Sequence, residues 1–283
     1  MAPPLRRVDP YVPKAPAEPR FRAWPALNQP EHLRAVLPGA RSRPALDDSA
    51  SGRALAALFG DADTLQARFA RALAARKALD RKEFFECFET LAYARSSLLP
   101  TEPILCDVAG GNGLTAALFA LFESRRFSQV VVMDPNKPAS WAAVVDALEE
   151  VAPWAAAKLS YLEEPLDGQT SLPPGCAVIC VHGCGSLTDA VISSAASSRA
   201  ASIALMPCCY ASCVGALRAP KVLRRQLGVS AAADIQRTYE LERHGFHVNW
   251  RTIPSSVTPM NRLILARRIA EISAGAVSAA PRS

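Results

Sequence analysis

At 283 residues, 50% hydrophobic and 20% charged, the chain is long enough to bury one large core or two small ones. Its longest apolar runs stop short of the roughly 18 residues that a membrane span needs, and the opening MAPPLRRVDPYVPK has no secretory apolar segment. A cytoplasmic protein without membrane contact is expected, with organellar or nuclear placement left open. The net charge of +6 is concentrated in residues 1–45, which hold eight Lys/Arg against three acids, a basic stretch that would attract RNA through its phosphates.

Those 45 residues also hold ten of the 23 prolines. They are expected to form an extended or disordered arm, since proline supports neither helix nor ladder. Residues 46–99 turn helical, with apolar side chains at three- and four-residue steps in RALAALFGDADTLQARFARALAARKAL and RKEFFECFETLAYARSSLL. From residue 100 the rhythm changes to short β-type runs alternating with helical ones. Strands are expected at 104–109, 129–134, 158–163, 177–183 and 201–207. Helices are expected over LTAALFALFESRR, SWAAVVDALEEVA, SLTDAVISSAAS and AAADIQRTYELERHG. This alternation predicts an α/β fold with a doubly wound, mainly parallel sheet. Strands at 246–253 and 261–269 are separated by too few residues for a crossover, so they are expected to pair antiparallel. Residues 100–270 form the domain, and 271–283 a disordered tail.

Eight cysteines (87, 106, 176, 180, 184, 208, 209 and 213) in a chain of this kind do not suggest a disulfide framework. The spacing of Cys176, Cys180 and Cys184 matches neither zinc pairs nor iron–sulfur motifs. Structural thiols and no metal are expected.

CDVAGGNGLTAALF (106–119) joins the first strand to a helix through three glycines. GNGLTA (111–116) fits the G-x-G-x-x-A pattern of dinucleotide sites, although glycines there also serve simply to turn a strand into a helix. Asp134 ends the second strand 21 residues after Gly113, where an acid accepts hydrogen bonds from ribose hydroxyls. NAD and S-adenosylmethionine both have such a ribose. Two features favour adenosylmethionine. Asp107 lies inside the first strand, where a carboxylate suits a cationic α-amino group, and the antiparallel C-terminal hairpin has no place in a six-stranded parallel NAD domain.

DVAGGNG, with MDPN, VHGCGSLTD, PCCY and a closing strand hairpin, resembles a class I S-adenosylmethionine-dependent methyltransferase over about residues 100–270. The resemblance implies a Rossmann-like, seven-stranded sheet. It places Asp107, Gly110, Gly111, Asn112 and Gly113 on the methionine-binding loop, with Ala109 where that family's D-x-G-x-G-x-G loop has glycine. Asp134, followed by Pro135, corresponds to the ribose-binding acid, and Glu163 to an acid near the adenine. The helices of 46–99 would cover the active site. His-x-Cys-Gly-x-x-Thr-Asp followed by Cys-Cys-aromatic is similar to a group that includes eukaryotic tRNA acceptor-stem ribose methyltransferases, although the cysteine/histidine zinc modules of that tRNA family are not found here.

VHGCGSLTDAVISSA (181–195) leaves the fourth strand at the same edge as the glycine loop. His182 suits a cofactor hydrogen bond or a base, or a backbone-bonded packing role. Asp189 suits the catalytic side or, with Ser186, a helix-capping box. Cys209 and Tyr210 complete the candidate catalytic set. Consecutive residues of an extended strand point oppositely, so Cys208 and Cys209 share a side only if Pro207 bends the chain. Tyr210 suits stacking on a flat substrate or ordinary packing. The sequence lacks the Asn-Pro-Pro-aromatic motif of exocyclic-amine methyltransferases, which favours a hydroxyl or ring-nitrogen acceptor. RNA methylation is the leading expectation. A small-molecule or protein methyltransferase, an NAD-dependent oxidoreductase and a non-catalytic module are the alternatives.

Overall fold

The computed structural model describes residues 17–36, 50–59, 62–78, 80–210 and 219–269. Seven strands form: β1 (Ile104–Val108), β2 (Gln129–Met133), β3 (Leu159–Leu162), β4 (Ala177–Val181), β5 (Ser202–Met206), β6 (Phe246–Thr252) and β7 (Arg262–Arg268). They make one sheet in the order β3-β2-β1-β4-β5-β7-β6. Pairings among β1 to β5 are parallel, whereas β7 runs antiparallel to both β5 and β6. The doubly wound expectation and the antiparallel closing hairpin both hold. From β1 the chain winds outward to β2 and β3, then returns to β4 on the other side. The winding direction therefore reverses between β1 and β4, and sheets of this kind hold ligands at the carboxyl ends of such a strand pair.

Helices cover both faces. In chain order they are α1 (Pro30–Val36), α2 (Ala50–Phe59), α3 (Leu65–Ala75), α4 (Arg81–Ala94), α5 (Leu114–Phe122), α6 (Ser140–Val151), α7 (Pro153–Ala156), α8 (Leu187–Ser197) and α9 (Lys221–Arg243). The side-chain alternation of β1 shows how the sheet divides its load. Leu105 joins a core with Val130, Val132, Ile179 and the residues of α3 to α6. Cys106 and Val108 join the opposite core with Val178, Cys180, Leu205, α8 and Leu241 of α9. Two helix starts, those of α3 and α4, are capped by side chains. The Thr64 hydroxyl accepts from Ala67 N at 3.2 Å, and the Asp80 carboxylate from Glu83 N at 3.0 Å.

Three expectations need correction. Residues 17–36 are not an extended or disordered arm. They form a 3-10 turn (Pro25–Asn28) and α1, and bury Phe21, Trp24, Leu27 and Val36. The Trp24 ring lies 4.5 Å from Phe88 and 5.2 Å from Phe84 of α4, and Glu89 of α4 accepts from Arg22 N and Ala23 N at 3.1 and 2.9 Å. The aromatic anchors outweigh the proline content. The last long helix starts at Lys221 rather than Ala231; its first turns leave Val222, Leu227 and Val229 exposed, and it is kinked at Gly228. The helical run at 53–79 is two helices, with α2 ending at Phe59. The rest of the 1–45 expectation, Cys213 and the 271–283 tail lie outside the described residues.

Candidate active site

The loop between β1 and α5 is shaped by close contacts on one side and open space on the other. A Cβ at Gly110 would lie 2.8 Å from Val132 and 2.9 Å from the Asp107 carboxyl, and one at Gly113 only 2.3 Å from the Trp141 ring. Gly111 has φ +52° and nothing within 4 Å of its missing side chain, which leaves bare backbone facing outward. Ala109 has φ 56°, a left-handed conformation that costs a side-chain-bearing residue about 1–2 kcal/mol. Its amide is held by Met133 O at 2.7 Å.

Carboxylates surround this loop. Asp107 is fully buried beneath it, with Oδ2 accepting from Ala116 N at 3.0 Å and Oδ1 lacking any partner. Burial, reinforced by the charge of Asp134, pushes its carboxyl up to about 7. Half-buried Asp134, just past β2, accepts from Gly111 N at 3.2 Å and Asn136 N at 3.0 Å. Tyr161 of β3 places its hydroxyl 3.0 Å from the carbonyls of Gly111 and Asn136. Burial and the Asp134 charge push that phenol up to about 12. Pro135 and Glu163 are exposed at the same edge, after β2 and β3.

Helix α4 supplies what the sequence reading missed. Glu83 Oε1 accepts from Asn112 Nδ2 at 2.8 Å, so the helix is fastened to the glycine loop. One turn on, Glu86 is 1% exposed, with Oε1 2.6 Å from Lys82 Nζ and Oε2 2.9 Å from His182 Nε2. Burial raises the Glu86 carboxyl, but His182 and Lys82 outweigh it and hold it below the usual range. Glu83 is raised, chiefly by burial. His182 follows β4 with φ 66° and keeps about a third of its side chain exposed. A signal was present as Glu83, Glu86 and Glu89 at three-residue steps in α4, a spacing that brings successive acids close on the helix surface.

Beyond His182, the two loops after β4 and β5 are tied to α9. Arg237 is 1% exposed and donates to Asp189 Oδ1 at 3.0 Å, Asp234 Oδ1 at 3.1 Å and Gly185 O at 3.0 Å. Asp234, fully buried, also accepts from the Tyr210 hydroxyl at 2.7 Å and from Arg262. Tyr210 is therefore an internal anchor rather than a stacking platform, with the Arg237 guanidinium 5.4 Å from its ring centre. Ser186 makes no side-chain cap bond, so the capping box is not closed, and Asp189 is engaged by Arg237. Cys176 and Cys180 are buried in the apolar core. Cys184 parts from them and meets Cys208 and Cys209, both of which turn to one side after β5 ends at Met206. Burial and the neighbouring thiols push Cys208 well above its ordinary range.

These features bear on the cofactor. A dinucleotide pyrophosphate needs free amides at the helix N-terminus. Here Leu114 N is taken by Asn112 Oδ1 at 3.0 Å and Ala116 N by Asp107, with an acid buried directly below. A set rich in carboxylates, with one orphan oxygen under open glycine backbone, fits a cationic ligand carrying an ammonium, a sulfonium and a ribose.

A family profile described as a methyltransferase domain matches residues 76–215. No curated protein matches the chain. Among solved structures, the chain is similar to the methyltransferase domain of bacterial-CtHen1-C (10% identity, 66% of this chain and 98% of that one, TM-score 0.43). It is also similar to an rRNA methylase from Streptococcus thermophilus (14%, 66% and 93%, TM-score 0.40). A third is the magnesium protoporphyrin IX methyltransferase of Synechocystis PCC 6803 with bound SAH (14%, 74% and 90%, TM-score 0.41). Their acceptors differ, and none is carried over to this chain. Among the described residues no helix is long and apolar enough to cross a membrane. Residues 76–215 match a methyltransferase domain, and the carboxylate-rich glycine loop within them suits S-adenosylmethionine as the methyl donor.

Proposed function

We propose that the protein methylates RNA at a hydroxyl group, with the cofactor held by the β1–α5 loop and His182 serving as the base. The observation that carries this reading is the His182–Glu86 pair, 2.9 Å apart at the carboxyl end of β4. When bound, adenosylmethionine supplies an electrophilic methyl group on a sulfonium. A hydroxyl acceptor must lose a proton as it is methylated, whereas many other acceptors need only alignment. With Nε2 set against the Glu86 carboxylate, the other ring nitrogen is the proton acceptor of this reading, and the carboxylate stabilises the imidazolium that forms.

The remaining residues take supporting roles. Asp107 Oδ1 meets the methionine ammonium, Asp134 the ribose hydroxyls, and exposed Glu163 lies on the adenine side. Gly110, Gly111, Asn112 and Gly113 give the bare backbone, with Ala109 and Pro135 at its margins. Cys209 borders the acceptor side. Helix α4 of the 46–99 segment borders the site through the Glu83–Asn112 and Glu86–His182 contacts. RNA as acceptor is supported by the basic balance of residues 1–45, which matches a phosphate backbone.

Incubation with methyl-labelled adenosylmethionine and separate RNA, protein and metabolite fractions tests the reading. Label is expected in RNA and lost with His182→Ala. Label confined to protein or metabolites would replace the acceptor but retain the chemistry.

A further inference from the structure

Three cysteines from two loops bring their sulfurs together at the carboxyl edge of the sheet. Cys184 follows β4, and Cys208 and Cys209 follow β5, its parallel neighbour. Cys184 Sγ lies 3.2 Å from Cys208 Sγ, which lies 3.7 Å from Cys209 Sγ. All three sulfurs fall within 4.8 Å of one another, and no other trio of His, Cys, Asp or Glu side chains among the described residues does so. The loops that carry them are braced. Gly185 N donates to Cys209 O at 3.0 Å, and Arg237 Nη2 to Gly185 O at 3.0 Å.

The spacing discriminates between two thiol chemistries. A disulfide requires about 2.05 Å between sulfurs, and the shortest separation here is 3.2 Å. A tetrahedral zinc ion, with Zn–S bonds of about 2.3 Å, sets its sulfurs about 3.8 Å apart. Cys208 and Cys209 already have that separation, and Cys184 reaches it by a small opening of its loop. The donor set is sulfur alone, which selects a soft ion over magnesium or calcium.

We infer that Cys184, Cys208 and Cys209 bind one zinc ion as thiolates, with the fourth coordination position open. Cys184 and Cys209 are exposed, and Cys184 borders a cavity of about 600 Å³ that Asp189 and Arg237 also line. Water or a ligand atom reaches the fourth position from there, as at a three-ligand zinc rather than a closed structural one. The site stands independently of the methyl-transfer reading.

The test uses the full chain purified under reductant and stripped with a chelator. Cobalt titration of the wild-type protein should give a thiolate-to-cobalt charge-transfer band that saturates at one equivalent, and zinc should displace it. Cys184→Ser and Cys209→Ser should each weaken zinc binding more than ~10-fold, while Cys176→Ala, in the buried core, should leave it intact. Adenosylmethionine affinity, measured on the same samples, reports separately on the methyltransferase site. A reduced wild-type protein whose thiols are free but which gives no cobalt band would overturn the inference, whether or not the serine variants fold. So would serine variants that retain the band at wild-type strength.

Discussion

His182 Nε2 and Glu86 Oε2 lie 2.9 Å apart, which joins the loop after β4 to a helix that precedes the whole sheet in sequence. Glu86 is almost wholly buried and is also held by Lys82, so its position is fixed before any acceptor arrives. His182→Ala should reduce methyl transfer by about 10²- to 10⁴-fold, the usual contribution of a base. Glu86→Gln should give a smaller loss, since the amide still accepts one hydrogen bond. Both variants should bind adenosylmethionine as the wild type does. Turnover and cofactor titration, measured together, check this; a fall in cofactor affinity with turnover intact would place the pair on the cofactor instead.

Asp107 predicts a pH dependence. Its folded carboxyl is raised from 3.8 to about 7, so its proton is bound more tightly in the folded state than in the unfolded one. That contribution is fully present below the ordinary value and is lost as pH rises through about 7. The ligand-free protein should therefore lose stability between about pH 4 and 7 more steeply than Asp107→Asn does, as read from melting temperatures. Because an ammonium ligand favours the ionised carboxylate, adenosylmethionine binding near pH 6 should also release a proton. Calorimetry in buffers of different ionisation heat would detect it; a binding enthalpy that does not vary with buffer counts against the contact.

The Asp234 network predicts a large stability effect. Removing one partner of a buried ion pair costs about 3–5 kcal/mol. Asp234→Ala should fall in that range, because it strips Arg237, Arg262 and Tyr210 of a shared acceptor. Tyr210→Phe removes one neutral donor and should cost about 1 kcal/mol. Denaturant unfolding of both variants checks the order.

The seven strands and the glycine loop were legible because apolar runs bounded by turn residues determine them locally. Asp107 and Asp134 were legible for the same reason, each standing at a fixed offset from a strand end. Glu86 was not, since its partner is 96 residues away in the chain and only the packing of α4 on α5 brings them together. Tyr210 was ambiguous because an anchor and a stacking platform use the same ring, and the difference lies in Asp234, on a helix distant in sequence. The 17–36 segment was misread because prolines were counted where Phe21, Trp24 and Leu27 decided the outcome.

That correction changes how RNA binding is tested. Deleting residues 1–45 would remove Trp24 and Phe21 from the core, whereas Arg6, Arg7 and Lys14 precede the described residues. Replacing these three with Gln should flatten the salt dependence of RNA binding by up to about 2 in log–log slope. An unaltered slope would make them bystanders.

Ala109 sits at φ 56°. Ala109→Gly should relieve about 1–2 kcal/mol of strain and return about 0.4–1 kcal/mol through the greater freedom of the unfolded chain. The net expectation is a small gain in unfolding free energy; a clear loss would mean that the Ala109 methyl packs favourably.

The most direct test of the central claim is calorimetric titration of adenosylmethionine into the wild-type protein and Asp107→Asn, with NAD titrated in parallel. The carboxylate under the glycine loop should hold the cofactor by a charge-assisted hydrogen bond worth about 1.5–3 kcal/mol, so the variant should bind about 10- to 150-fold more weakly. NAD should not bind, because Asp107 and Asn112 already occupy amides at the start of α5 that a pyrophosphate would need. Binding of NAD, or undiminished binding of adenosylmethionine by Asp107→Asn, would contradict the account.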